Sequence, residues 1–129
     1  HVTGSAIVVT ADRSRVLLHK HKRLGLWLQP GGHIDPGELP WDGALRETVE
    51  ETGLPAVLAG SELVHVDVHP GPRGHTHLDL RYLLLANHLE VPAPGAEESQ
   101  QVRWFSWEEA TKIADMGLVG ALVRAQELI

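Results

Sequence analysis

The chain has 129 residues, 43% apolar and 22% charged, with a net charge of −6; these are the proportions of a soluble globular domain long enough to bury a core. The absence of cysteine excludes disulfides, thiolate metal centres and cysteine nucleophiles and fits a cytoplasmic location. The acid excess argues against a nucleic-acid polymer as partner, leaves room for a small anionic ligand carried in by a metal ion, and comes with no apolar run able to span a membrane.

No signal-peptide pattern opens the chain, and it begins at His1 rather than Met, as a sequence with missing first residues would. Gly4 to Thr10 is a short β-branched run, expected as a strand. Ala11 to Ser14 reads as a turn and Arg15 to Lys20 as the hairpin partner. His19 and His21 are expected at the surface, and Arg13, Arg15, Lys20, Lys22 and Arg23 on a solvated face, with one or two free to meet phosphate. Leu24 to Pro30 is expected as a strand delivering Gly31 and Gly32.

Pro40 fits a first helical position, and the helix runs to about Thr52, with Gly53 as a left-handed C-cap and Leu54 as its following hydrophobic contact. Leu45 and Val49 are expected on its inner face, with Ala44, Thr48 and Thr52 beside them. Ala56 to Val68 holds one or two strands, and residues 69–74 a loop rich in Pro and Gly. From His75 to Ala86 the chain first alternates, with His75, His77, Asp79 and Arg81 on one face, then turns continuously apolar as a central strand does. Pro92 to Ser99 reads as a loop and Gln101 to Ser106 as a last strand. Ser106 and Glu109 form a capping box, from which a helical period runs to the C-terminus. No internal repeat or linker interrupts residues 1–129, which are expected to form a single domain.

The helix at 40–52 breaks two local rules. Glu47, Glu50 and Glu51 share one face at i, i+3 and i+4. They also crowd the C-terminal half, where the helix dipole disfavours acids. Each like-charge pair costs roughly 0.2–0.5 kcal/mol on an isolated helix. Such a run is more in keeping with a site than with a stabilising device, and a divalent cation is the simplest compensation. Hard cations take oxygen ligands, and Mg²⁺ keeps part of its water, so a few carboxylates and a carbonyl suit it. Arg46 stands four residues before Glu50, within reach of a helical ion pair. Gly31 and Gly32 leave room for close backbone approach. Taken alone, the three acids would instead read as a solvated polar face.

The spacing is more specific than that. Gly32, Glu38, Arg46-Glu47-Thr48, Glu50-Glu51 and Gly53-Leu54 resemble the Nudix box, the signature of the Nudix hydrolases. Thr48 is the one departure, since the family usually has an aliphatic residue there. The resemblance implies an α/β fold, a Nudix-type α/β/α sandwich with a mixed central β-sheet. It implies hydrolysis of a nucleoside diphosphate linked to another moiety, by water attack on phosphorus, using Mg²⁺ or Mn²⁺. Carried over by position, Glu50 and Glu51 look like the principal metal ligands. Glu47 is similar to a further ligand and, in some members, to the base. Arg46 would orient these acids, the Gly31 carbonyl would be another metal ligand, and Gly32 and Glu38 would support the loop.

Outside the box, Glu98, with Glu97 next, is a candidate catalytic carboxylate from a late loop, to be weighed against an ordinary acidic turn. His75, His77 and Asp79 are candidates to line the substrate cleft, against a plain polar strand face. His33, directly after Gly32, would stand near the phosphates. The four tryptophans read as core or support, with Trp41 the most exposed. Pro70 resembles a marker of ADP-ribose-cleaving members, although eight prolines make chance placement the simpler account. The expected partner is a small nucleoside-diphosphate substrate, with no nucleic-acid polymer and no membrane. A homodimer is allowed but not selected. The alternative is a Nudix-fold nucleotide-binding regulatory domain without turnover, whose mark would be a damaged box.

Overall fold

Ile7 and Val9 point to one side of the first strand and Ala6 and Val8 to the other, yet all four are fully buried. A strand buried on both faces needs a layer on each side, and that requirement sets the architecture. The computed structural model describes residues 1–70, 74–87 and 91–129. In chain order the elements are β1 (Val2–Thr10), β2 (Arg15–Lys20), β3 (Trp27–Leu28), β4 (Gly31–His33), α1 (Pro40–Thr52), β5 (Ala56–Pro70), β6 (Thr76–Ala86), β7 (Val102–Ser106), α2 (Trp107–Ile113) and α3 (Met116–Leu128).

Among the described residues the strands form one mixed sheet with the order β3-β2-β1-β6-β5, in which β4 also pairs β1 and β7 also pairs β2. The β1–β6 pairing is parallel, from Val2 opposite Leu78 to Thr10 opposite Ala86; the other ladders are antiparallel. One core joins Ile7, Val9, Val16 and Leu18 to Leu118, Ala121, Leu122 and Ala125 of α3. The second joins Ala6, Val8 and Leu17 to Ala44 of α1 and to Leu54, Tyr82 and Leu84. Helices therefore cover both faces of a mixed sheet, as expected.

Several boundaries differ from the sequence reading, each for a local reason. Only Trp27–Leu28 of the stretch 24–30 is strand. Gly25 is left-handed (φ 66°) and closes a tight turn, in which the His21 N–H donates to the Leu26 carbonyl. His69 and Pro70 belong to the end of β5 rather than to a loop, and residues 71–73 of that loop lie outside the described residues. The C-terminal helix is two helices, because Ala114 is extended and Asp115 caps α3 by accepting from the Leu118 N–H at 2.9 Å. The capping box at Ser106 and Glu109 is present.

On α1 the buried face is Gly43, Ala44, Thr48, Glu51 and Thr52, while Val49 is half exposed. Thr48 and Thr52 can face the core because their hydroxyls donate to the carbonyls four residues back, at 2.8 and 2.6 Å. That arrangement turns Val49 outward. Trp41 is half buried and meets the Tyr82 ring edge-on, so it is not a free surface indole.

Candidate functional site

Helix α1 begins with Pro40 at its first position and ends at Gly53, which is left-handed (φ 72°) and donates its N–H to Val49. A side chain at Gly53 would run into the Ala93 carbonyl, and the Ala93 N–H donates to the Thr52 carbonyl at 2.8 Å. The end of α1 thus seats the segment that carries Glu97 and Glu98. From the other side, Lys22 Nζ donates to the Glu97 carbonyl at 2.7 Å. Exposed Glu97 lies in a shallow groove with Lys22 and Arg23, whereas half-buried Glu98 also faces the main cleft.

Arg46 is the hub of the outer half of the acid cluster. Its Nε and Nη2 clasp both oxygens of Glu38, at 2.9 and 3.0 Å. Its Nη1 donates to Glu47 at 2.9 Å and to Glu50 at 3.2 Å, and its Nη2 also reaches the His33 carbonyl at 2.9 Å. A two-pronged guanidinium–carboxylate clasp of this kind fixes orientation as well as charge. The Arg46 guanidinium, with help from the Asp35 N–H, holds the Glu38 carboxyl below the usual carboxylate range, and Arg46 is itself held more firmly in its charged form by Glu38. Glu50 remains half exposed.

The inner half is built differently. Glu51 is buried, with one oxygen 3.0 Å from His19 Nε2 and the other accepting from the Gly31 N–H at 3.3 Å. Glu47 stands beside it, and burial together with the neighbouring Glu51 carboxyl pushes the Glu47 pKa up to about 7, against the opposing pull of Arg46. The two glycines shape this corner. A Cβ on Gly31 would strike Ser5 of β1, and one on Gly32 would lie 2.8 Å from the Glu47 carboxylate. β4 can therefore cross close under the acids only as Gly-Gly. Two neighbouring carboxylates against a bare backbone, one with its pKa lifted to about 7 by burial and by its neighbour, form a donor set that a hard divalent cation fits.

A cleft of about 600 Å³ opens from this corner, and its walls include His19, Gly31, Glu51, His77, Asp79 and Glu98. The cleft wall also carries a second charge set, with Asp79 and Arg81 both buried. Asp79 accepts from Thr3 at 2.9 Å, from Ser5 at 2.9 and 3.0 Å, and from Arg81 Nε at 2.9 Å. Arg81 in turn donates to the Gly117 carbonyl at 2.8 Å and approaches Asp67 at 3.6 Å. These groups are mutually satisfied. His77 lines the cleft beside His69, with ring centroids 5.4 Å apart. His33 and His75 are exposed and gather around the His1 ring, at 5.9 and 5.2 Å, outside the cleft wall.

Of the candidate residues, Gly31, Gly32, Glu47 and Glu51 come together at one end of the cleft, Arg46, Glu38 and Glu50 form an ion-paired cap on them, and Glu98 joins from another segment. Asp79 lies in the wall as an anchored charge. His19 was missed. It is 7% exposed, not a surface residue. The surface expectation fails because β2 lies inside the sheet: β7 runs along the side opposite β1, and at His19 itself Leu28 of β3 and Val102 of β7 pair from the two sides. The available signal was a His closing the apolar run Val16 to Leu18. Ser5 and Arg81, also in the wall, were not singled out as site residues.

Comparison with known proteins places this geometry. The family model for the NUDIX domain matches residues 1–122. A bis(5'-nucleosyl)-tetraphosphatase [asymmetrical] from Caenorhabditis elegans is 32% identical over 102 residues, covering 76% of this chain and 71% of that protein. A putative 8-oxo-dGTP diphosphatase from Bacillus subtilis (strain 168) is 41% identical over 59 residues, covering 46% of this chain and only 40% of that protein. The crystal structure of a NUDIX-family hydrolase from Clostridium perfringens superposes with a TM-score of 0.83 at 27% identity, covering 100% of this chain and 98% of that one.

Proposed function

This chain belongs to the NUDIX domain family, and from that premise we propose that it hydrolyses a nucleoside diphosphate linked to another moiety, by water attack on phosphorus with Mg²⁺ or Mn²⁺. The observation that carries this reading is geometric: Glu51 accepts from the Gly31 N–H at 3.3 Å, and the Glu47 carboxylate lies so close over Gly32 that a Cβ there would stand 2.8 Å from it, which gathers two acids on one glycine corner. Relatives named as a bis(5'-nucleosyl)-tetraphosphatase and an RNA pyrophosphohydrolase support phosphoanhydride cleavage at nucleotides, and one named as a probable DHNTP pyrophosphohydrolase widens the range of attached groups. They differ in the group attached, so the substrate is proposed as a class.

In this reading Glu47, Glu50, Glu51 and the Gly31 carbonyl hold the cation. Bound there, such a cation neutralises phosphate oxygens and acidifies water. Arg46 keeps Glu47 and Glu50 oriented through its 2.9 and 3.2 Å bonds. Glu47 or Glu98 takes the proton of the attacking water. Gly32 keeps the approach to Glu47 clear, and Glu38 fixes the loop before α1 through the Asp35 N–H at 3.0 Å. His77 lines the path of the substrate, and His33 and His75 lie at its outer edge. Among the described residues no helix is long and apolar enough to cross a membrane.

The test is a panel of nucleoside triphosphates, nucleotide sugars, ADP-ribose and dinucleoside polyphosphates, each with Mg²⁺ and with Mn²⁺, followed by product identification. Metal-dependent release of a mononucleotide product is expected. Nucleotide-dependent thermal stabilisation without any product over long incubation would overturn turnover in favour of a binding domain.

A further inference from the structure

We infer that His19 is a positioning residue for Glu51: its Nε2 fixes the orientation of that carboxylate, and through it the affinity for the divalent cation. The inference rests on the metal reading above. Both partners are more than nine-tenths buried, and they meet at 3.0 Å. They come from different elements, β2 and α1, so nothing in the helix itself brings the imidazole to the acid. An ionised carboxylate only accepts, so the ring nitrogen is the donor. The other Glu51 oxygen takes the Gly31 N–H at 3.3 Å. Donors from two strands therefore clamp one carboxylate, one on each oxygen, and each oxygen keeps further lone-pair capacity. Glu50 provides the contrast, since it is half exposed and Arg46 holds it from a single side.

A partner of this kind sets the direction of a ligand rather than binding the ion. Removing such an outer partner typically lowers metal affinity by about 10–100-fold. His19 also continues the apolar run Val16 to Leu18, so a purely structural role is the competing account. The two separate by chemistry: packing survives replacement with an apolar side chain, and orientation does not.

The experiment is Mn²⁺ titration of the wild type, His19→Leu and His19→Gln, followed by loss of the free-ion EPR signal, with apo melting curves alongside. Gln can place a donor near the position of Nε2. At least about a tenfold weaker Mn²⁺ binding is expected for His19→Leu, with His19→Gln restored to near the wild type. Equal affinity in all three proteins, or equal weakening in both variants, overturns the inference. If His19→Leu does not fold, His19→Phe takes its place as the variant without a donor: weaker Mn²⁺ binding than in His19→Gln supports the inference, and equal binding overturns it. Failure of the wild type itself to bind Mn²⁺ overturns the metal reading, a result distinct from the other two.

Discussion

Two clusters of charge border the cleft, and they are neutralised in different ways. On the sheet wall, Asp79 has its own cation, Arg81, at 2.9 Å, and Asp67 lies 3.6 Å from the same guanidinium. Hydroxyls of Thr3 and Ser5 take the remaining capacity of Asp79. On the helix wall, Arg46 is divided among Glu38, Glu47, Glu50 and Asp35, and Glu51 has only an imidazole and a backbone N–H. The first cluster is complete as folded. The second lacks positive charge where its acids are most buried. The difference sets a charge cluster that is complete as folded beside one that, in the reading proposed above, takes an exchangeable cation.

Breaking the two clusters should therefore give opposite phenotypes. Glu51→Gln keeps the shape of the side chain but removes the charge proposed to hold the ion, and its single amide oxygen can accept from only one of the two donors, His19 and Gly31. Its turnover should fall about 10³-fold or more, a loss of several kcal/mol of barrier stabilisation, with an unchanged circular dichroism spectrum. Steady-state product release decides this, and wild-type turnover in Glu51→Gln would remove Glu51 from the site. Asp79→Ala should do the reverse. It leaves Arg81 buried without its partner, which costs about 3–5 kcal/mol of stability, whereas Mn²⁺ affinity measured below the melting temperature should stay at the wild-type value. A large drop in metal affinity without loss of stability would assign Asp79 to the ion after all.

The contrast also explains what could be read from the sequence. The helix wall is local: Gly32 to Leu54 carries its acids, its Arg and its glycines at fixed offsets, so the resemblance to the Nudix box could be read from one short stretch. Strand β6 was legible as well, because alternation places Asp79 and Arg81 on one face. What spacing does not show is which distant groups satisfy a charge. Nothing near Asp79 in the sequence signals that Ser5, 74 residues away, donates to it. His19 was misread because its burial depends on β7 pairing with β2, a contact made by a strand more than 80 residues later. Val49 was misplaced because two core-facing threonines hid the apolar stripe of α1 behind polar side chains.

A milder perturbation keeps the sequence and supplies the missing charge. A ligand that binds only the folded state at 100 times its dissociation constant adds about 2.7 kcal/mol of stability. Mg²⁺ or Mn²⁺ should raise the melting temperature of the wild type and of Asp79→Ala by similar amounts, and that of Glu51→Gln by much less. Differential scanning calorimetry with and without the ion gives the answer. Equal stabilisation of all three proteins would mean that the ion acts elsewhere.

The smallest effect separates the clusters by pH alone. In the metal-free protein, burial and the Glu51 carboxyl raise Glu47 to about 7, above its ordinary value of 4.5. A carboxyl with a raised pKa binds more protons folded than unfolded across that interval. Stability therefore falls as pH rises from about 4.5 through about 7, by on the order of 2 kcal/mol, and stays reduced above it. Glu38 runs the other way, since its depressed pKa gives stability that is lost only as the pH falls through the acid range. Urea melts of the apo protein at pH 5 and pH 8 should thus show the wild type weakening toward pH 8, and Glu47→Gln should flatten that trend. Saturating Mg²⁺ should flatten it too, because the ion favours the ionised form and displaces the proton. If Glu47→Gln melts with the same pH slope as the wild type, the inner acids are not short of positive charge, and the distinction between the two clusters fails.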